Sequence, residues 1–215
     1  MITIIDYGLG NLASVANALN KLGIPNQVSN SPNVIKKARV LILPGVGAAG
    51  QGMQNLKNLN LDKVIIEEIK RGKPFLGICL GMQLLFEESG EGNVACLEIL
   101  KGVVKKYKKE RKVPQIGWNE VKIQYSKIKM QNYNSKVKKI LSNIKDLSYF
   151  YFVNSYYCEP DDTSIVVAES EYGEKFASIV MKDNIIATQF HPEKSGSIGQ
   201  QLLKNIFTYF NDLNH

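Results

Sequence analysis

Histidine is almost missing from this chain, with two among 215 residues. His215 is the last residue and is expected to fray, so chemistry that needs an imidazole from this chain falls on His191. Cysteine is scarce as well, at three. Positions 79, 96 and 158 are odd in number and match no metal-ligand spacing, which argues against a disulfide framework and a cysteine metal centre. The three are read as reduced thiols, and no metal or cofactor is expected. No apolar run approaches the roughly 18 residues of a membrane helix. The apolar start Ile2–Ile5 stops at Asp6 with no basic stretch before it, so it does not read as a signal peptide. Repeats and low-complexity tracts are missing too. These absences point to a soluble, cytoplasmic protein that does not enter a membrane.

What is present suits one α/β domain over residues 1–215: 44% of residues are hydrophobic, 9% aromatic and 22% charged. The net charge of +7 concentrates in residues 101–112 and 122–139. A nucleic-acid surface would interleave such charge with stacking aromatics. Here the lysines fall in sheet edges and a polar connection, and read as solvated surface, in part a docking face for an acidic partner. No nucleic-acid partner is expected.

Short apolar strands alternate with helices in the first half. Strands are expected at 2–5, 24–28, 40–43 and 75–78, and helices at 12–22, 61–70 and 80–87, with a glycine-rich loop after Pro44-Gly45. Fully apolar strands between helices indicate a mostly parallel open sheet with helices on both faces. The second half holds closely spaced strand-like runs at 103–104, 121–123, 149–153, 165–168, 177–181 and 185–189. Turn signals at Tyr172-Gly173 and Asp183-Asn184 make the later ones antiparallel additions to the sheet edge. Residues 126–139 read as a polar surface loop, and 198–210 as a closing helix.

Gly77-Ile78-Cys79-Leu80-Gly81 places a cysteine where an apolar strand breaks into a helix. A sharp strand-to-helix turn lifts the side chain above the sheet, and flanking glycines let the backbone pass, as in the elbow of Gly-x-Ser-x-Gly hydrolases. The helix N-terminus behind the sulfur favours thiolate and offers the Leu80 N–H as an oxyanion donor. His191-Pro192-Glu193 follows the strand at 185–189, where an imidazole can face a crevice above the sheet. Cys79, His191 and Glu193 thus form a candidate nucleophile, base and orienter. Gly45, Val46 and Gly47, after another apolar strand, can approach a substrate closely and supply further backbone donors. Gln83, one helical turn after Cys79, lies on the same face and can hydrogen-bond a carboxamide.

Together Gly77 to Gln83 and His191-Pro192-Glu193-Lys194-Ser195 resemble the class I (triad) glutamine amidotransferases. Asp6-Tyr7-Gly8-Leu9-Gly10-Asn11, Pro44-Gly45-Val46-Gly47 and Gly117-Trp118-Asn119 narrow the likeness to the glutaminase subunits of imidazole glycerol phosphate synthase. The resemblance implies a flavodoxin-like amidotransferase fold and hydrolysis of L-glutamine through a thioester on Cys79. It places oxyanion donors at Gly45, Val46, Gly47 and Leu80, and puts Gln83, Ser155 and Tyr156 near the bound glutamine. Asn11 and Lys194 would lie toward a partner. One helix follows residue 191, and no acceptor-binding domain is expected after it. The ammonia acceptor then belongs to a second chain, which by resemblance is a (β/α)8-barrel cyclase of the HisF type in a heterodimer, with the Pro44 to Gly47 strand as an activation switch.

Two positions depart from that pattern: Gln115 and Asn154 stand where the family usually has histidine. Two alternatives stay in view, and the departures bear on the first of them. One is a paralogue supplying ammonia for amidination of a bacterial surface sugar. The other is a stand-alone cysteine hydrolase on the same sheet.

Overall fold

The computed structural model describes residues 1–108, 112–124 and 131–213, with only the backbone of 131–134. The first half runs β1 (Ile2–Ile5), α1 (Leu12–Lys21), β2 (Asn26–Ser29), α2 (Pro32–Lys37), β3 (Val40–Gly45), α3 (Ala49–Asn58), α4 (Leu61–Lys70), β4 (Phe75–Cys79) and α5 (Leu80–Gln83). The second half holds β5 (Glu88–Ser89), β6 (Val94–Ala95), β7 (Gly102–Lys106), β8 (Gln115–Ile123), α6 (Gln131–Ile140), β9 (Ser148–Asn154) and β10 (Tyr156–Pro160). It closes with β11 (Val166–Glu171), β12 (Lys175–Lys182), β13 (Ile185–Thr188) and α7 (Gly196–Leu213).

The main sheet has nine strands in the order β2-β1-β3-β4-β13-β12-β11-β8-β9. Strands β2, β1, β3, β4 and β13 are parallel, and β12, β11, β8 and β9 continue the sheet antiparallel. Strands β1, β3, β4 and β13 are largely apolar and buried at every position because both of their faces are covered, whereas the edge strand β2 is polar and half-exposed. Ile4, Ile42, Ile78 and Ile186 join the core that α1 and α7 cover. Ile5, Leu41, Leu43, Phe75 and Ala187 join the core under α3 and α4. Each such Ile, Leu or Phe side chain contributes roughly 1.5–3 kcal/mol when removed from water. Strand ends gather at one edge of the parallel half, and β3, β4 and β13 end beside one another there, where open α/β sheets form crevices.

The sequence pattern differs from this fold in five places. The strand at 185–189, expected as an antiparallel addition to the edge, is β13, which pairs parallel with β4 and antiparallel with β12 inside the sheet. Residues 32–37 and 49–58 are helices rather than connections. In α3 the glycines serve packing: a Cβ on Gly52 would lie 3.2 Å from Leu84 and 3.5 Å from Leu80 and Tyr7. The helix expected over 80–87 is a single α-turn, Leu80–Gln83, that tightens into i→i−3 bonds at Leu85 and Phe86. The carbonyls of Leu84, Leu85 and Phe86 are instead taken by the amides of residues 97–100. The polar segment 126–139 lies partly outside the described residues, and from Gln131 to Ile140 it is α6, whose Val137 and Ile140 are buried. Strands β7 and β10 do not extend the main sheet but form a second one in the order β10-β7-β5-β6. The expected fraying of His215 also lies outside the described residues.

Among the described residues, no helix is long and apolar enough to cross a membrane, and no cluster of three or more His, Cys, Asp or Glu could hold a metal ion.

Candidate active site

Cys79 ends β4 with φ 54° and ψ −107°, a conformation that costs energy for a residue with a Cβ. The flanking glycines make it possible. A Cβ on Gly77 would lie 2.8 Å from the Gly81 carbonyl oxygen, and one on Gly81 only 1.7 Å from the Leu43 carbonyl oxygen. The Leu43 oxygen belongs to strand β3 and cannot rotate aside. Gly81→Ala is therefore expected to destabilise the fold by about 3 kcal/mol, read as a lower denaturant midpoint at unchanged m-value.

Around the sulfur, backbone and side-chain groups converge from distant segments. Gly45 of β3 is in register with Cys79. The Cys79 thiol faces the Val153 carbonyl of β9 at 3.8 Å. Gln189 Nε2 donates toward Sγ at 3.7 Å. Gln83 Nε2 donates to the Tyr156 carbonyl (2.9 Å) and to Gln189 Oε1 (3.1 Å), so a buried amide chain links strand β10 to the sulfur. A cavity of about 350 Å³ opens over Cys79. Its walls include Val46, Gly47, Leu80, Gln83, Ser155 and Tyr156, six of the seven residues expected around a substrate. The seventh, Gly45, lies behind the wall in its ladder with Cys79. A larger cavity of about 520 Å³, between the outer antiparallel strands, is lined by Asn119, Lys122, Glu169 and Lys175 and includes neither cysteine nor histidine; its Ser170 hydroxyl donates to the Glu120 carbonyl at 2.7 Å.

His191 follows β13 and is tied to β9, because its N–H donates to the Tyr151 carbonyl at 2.9 Å. Ser195 Oγ donates to the His191 carbonyl at 2.6 Å and accepts from the Tyr151 N–H at 3.0 Å, closing the turn. Nδ1 of His191 lies 2.7 Å from Glu193 Oε1, and the two side chains are 3% and 2% exposed. Nε2 is buried and makes no hydrogen bond. Burial alone lowers the imidazole pKa, but the facing Cys79 and the Glu193 carboxylate outweigh it and push the value up to about 10. A ring with one nitrogen held by a carboxylate and the other facing a thiol can receive the thiol proton and return it to a leaving group.

Several participants were invisible in the sequence. Gln189 sits next to Cys79 only because β13 pairs with β4. Glu91 enters the cavity wall, where Oε2 accepts the Ala49 N–H at 2.8 Å and caps α3, which has no side-chain cap of its own. The two departures from the family pattern prove to be cross-strand partners, Gln115 opposite Asn154. Asn154 Nδ2 donates to the Tyr107 hydroxyl (3.0 Å) and the Tyr156 carbonyl (2.9 Å), and the Tyr107 hydroxyl donates to Gln115 Oε1 (3.2 Å). Asn154 Oδ1 is left buried without a partner. Of the two residues expected toward a partner, Asn11 is exposed and caps α1 by accepting the Ser14 N–H at 3.0 Å. Lys194 is half-buried in the turn after His191. Beside the cavity, β8 and β9 present an apolar face: Ile116, Trp118 and Tyr149 are 64%, 55% and 53% exposed. Val153, opposite Ile116, lines the cavity.

A cysteine elbow, a carboxylate-held histidine and a glycine strand at one sheet edge are the arrangement of a glutamine amidotransferase. The class-I glutamine amidotransferase family model matches residues 3–209. A crystal structure of a glutamine amidotransferase superposes with a TM-score of 0.74 at 15% identity, covering 98% of this chain and 100% of that one. The imidazole glycerol phosphate synthase subunit HisH of Dehalococcoides mccartyi is 47% identical over 208 residues, 96% of each chain. That of Aquifex aeolicus is 48% identical over 204 residues, 94% of this chain and 93% of its own. The chain belongs to the class-I glutamine amidotransferases and, within them, to the HisH family.

Proposed function

We propose that this chain is the glutaminase subunit of an imidazole glycerol phosphate synthase, acting in histidine biosynthesis. It hydrolyses L-glutamine to glutamate and passes the ammonia to a (β/α)8-barrel cyclase of the HisF type. The observation that carries this reading is the convergence of Cys79, the amide of Leu80, and the Glu193-held His191 beside one cavity.

Cys79 sulfur attacks the side-chain carbonyl carbon of glutamine while His191 Nε2 takes the thiol proton. The oxyanion of the tetrahedral intermediate accepts hydrogen bonds from the Leu80 N–H and from the Gly45-Val46-Gly47 backbone. Collapse breaks the C–N bond, with His191 returning its proton to the leaving nitrogen as ammonia. Water, deprotonated by the same ring, then cleaves the glutamyl thioester to glutamate. Gln83, Ser155 and Tyr156 orient the substrate, and the Glu91 carboxylate in the same wall suits its α-ammonium.

The apolar face of Ile116, Trp118 and Tyr149, which runs along β8 and β9 from Val153 in the cavity wall, supports a partner that covers the site and keeps ammonia from water. Asn11 and Lys194 are assigned to the same interface. Trp118→Ala is expected to weaken partner binding by about 10- to 100-fold, measured by titration calorimetry, with the fold unchanged. Relatives named for the histidine pathway favour that acceptor over a surface sugar. The deciding experiment is glutamate release by the chain alone and with a HisF-type barrel. Turnover that rises sharply with the barrel, together with imidazole glycerol phosphate formation, supports the reading. Full turnover without any partner indicates a stand-alone hydrolase.

A further inference from the structure

Tyr7 carries a buried hydroxyl that the chemistry above does not use. The residue follows β1 and is 1% exposed. The turn around it is fixed twice: the Gly8 N–H donates to Asp6 Oδ1 at 3.0 Å, and Asn55 Nδ2 donates to the Tyr7 carbonyl at 2.9 Å. Its ring lies against α3, where a Cβ on Gly52 would come within 3.5 Å of it. Its oxygen reaches the start of the glycine strand. A Cβ on Gly45 would lie 2.1 Å from the Tyr7 hydroxyl and 2.9 Å from the Leu80 Cβ. The hydroxyl therefore occupies the space a Gly45 side chain would fill, between that strand and the first residue of α5. It has no hydrogen-bond partner there.

The same turn closes on the strand from another side. A Cβ on Gly10 would lie 3.1 Å from the Gly45 Cα and 3.4 Å from the Pro44 oxygen. Leu9 lies 3.8 Å from the Cβ position of Gly47, which has φ +117°. Segment 6–11 thus holds strand 44–47 by close contact, and only glycines at 10 and 45 leave room for it. Burial, and beyond it the charge of Cys79, raise the Tyr7 pKa, so the phenol stays protonated and remains a donor. An unmet buried donor costs about 1–3 kcal/mol, so a backbone carbonyl that turned toward it would be stabilised. The 45–46 and 46–47 peptides can turn without moving their Cα atoms far, because each has a glycine with no Cβ on one side.

We propose that Tyr7 is a positioning residue for the oxyanion strand, its hydroxyl donating to a backbone carbonyl of the Pro44–Val46 segment when that segment aims an N–H at the reacting carbonyl oxygen. The inference rests on the glutaminase reading, and it accounts for the pairing of the 6–11 and 44–47 motifs in one sequence.

The test is Tyr7→Phe in the complex with a HisF-type barrel, with three readouts. Glutamine kcat falls about 10-fold with KM within twofold, short of the roughly 10²–10³ lost with a direct oxyanion donor. The thermal midpoint of the chain is equal to or above that of the parent, because the change removes an unsatisfied hydroxyl and keeps the ring. The rate of Cys79 alkylation by iodoacetamide, which needs no oxyanion hole, stays within twofold. An unchanged kcat overturns the proposal, as does a rise in KM alone. A kcat loss accompanied by a lower midpoint, or by slower alkylation, also overturns it, since the hydroxyl then serves the fold or the thiol. If the parent complex releases no glutamate, the glutaminase reading itself fails, an outcome distinct from all of these.

Discussion

Cys79→Ser is expected to lower glutamine turnover by about 10⁴-fold or more, with the fold intact. Serine differs from cysteine by one atom, so the elbow with φ 54° between Gly77 and Gly81 accepts it. The contacts that make this position chemical are lost. A hydroxyl is far harder to deprotonate than a thiol, and the shorter C–O bond draws the nucleophile back from His191 and Gln189. The other two cysteines cannot substitute. Burial pushes the Cys96 thiol up to about 11 and the Cys158 thiol well above the ordinary value, so both stay protonated and inert at neutral pH. Steady-state glutamate release with the barrel bound, alongside a thermal melt, checks both halves. Turnover within tenfold of the parent would show that the sulfur is not the nucleophile.

The second large effect belongs to Glu193→Gln, for which kcat is expected to fall about 10³- to 10⁴-fold. The carboxylate accepts from His191 Nδ1 at 2.7 Å in a site where both side chains are almost fully buried. It therefore fixes the tautomer that leaves Nε2 free to take a proton, and it stabilises the imidazolium formed next. A glutamine amide can offer its own N–H to Nδ1, which selects the tautomer with a proton already on Nε2. The pH profile moves with it. In the parent, Cys79 and Glu193 overcome the lowering effect of burial and hold the imidazole pKa near 10, against an ordinary 6.5. Losing the carboxylate removes a raising contribution, so the imidazolium gives up its proton at lower pH and the alkaline limb of activity shifts downward. Rates of Cys79 alkylation and glutamate release between pH 6 and pH 10 measure the shift. An alkaline limb that stays in place would show that Glu193 does not hold the ring.

Much of this site was legible in the chain because its signals are local. Gly77 to Gly81 spells out a turn whose glycines the structure requires, and with only two histidines in the chain the sequence offers little choice of candidate base. The parallel half of the sheet followed from apolar runs that only a doubly covered strand tolerates. What escaped reading depends on contacts between distant segments. Helix α3 has glycines at 50 and 52 and polar residues around them, a composition that reads as loop. Its helix holds because Met53 and Leu56 are buried and Gly52 seats Leu84. Helix α6 is rich in lysine and asparagine, and its Val137 and Ile140 gain meaning only against the core beneath α7. Gln189, Glu91 and Tyr7 reach the site through strand order, a loop crossing and a turn, none of which has a sequence period. Gln115 and Asn154 are far apart in the chain, and only the pairing of β8 with β9 sets them opposite each other, joined through the Tyr107 hydroxyl.

Peptide mapping after treatment with a glutamine-mimicking alkylator, in the complex with a HisF-type barrel, tests most directly whether sulfur and imidazole act as one unit. The account predicts a single adduct on Cys79, formed at least about 100-fold more slowly in His191→Ala. An adduct on Cys96 or Cys158, or labelling of Cys79 at the parent rate without the imidazole, would contradict it.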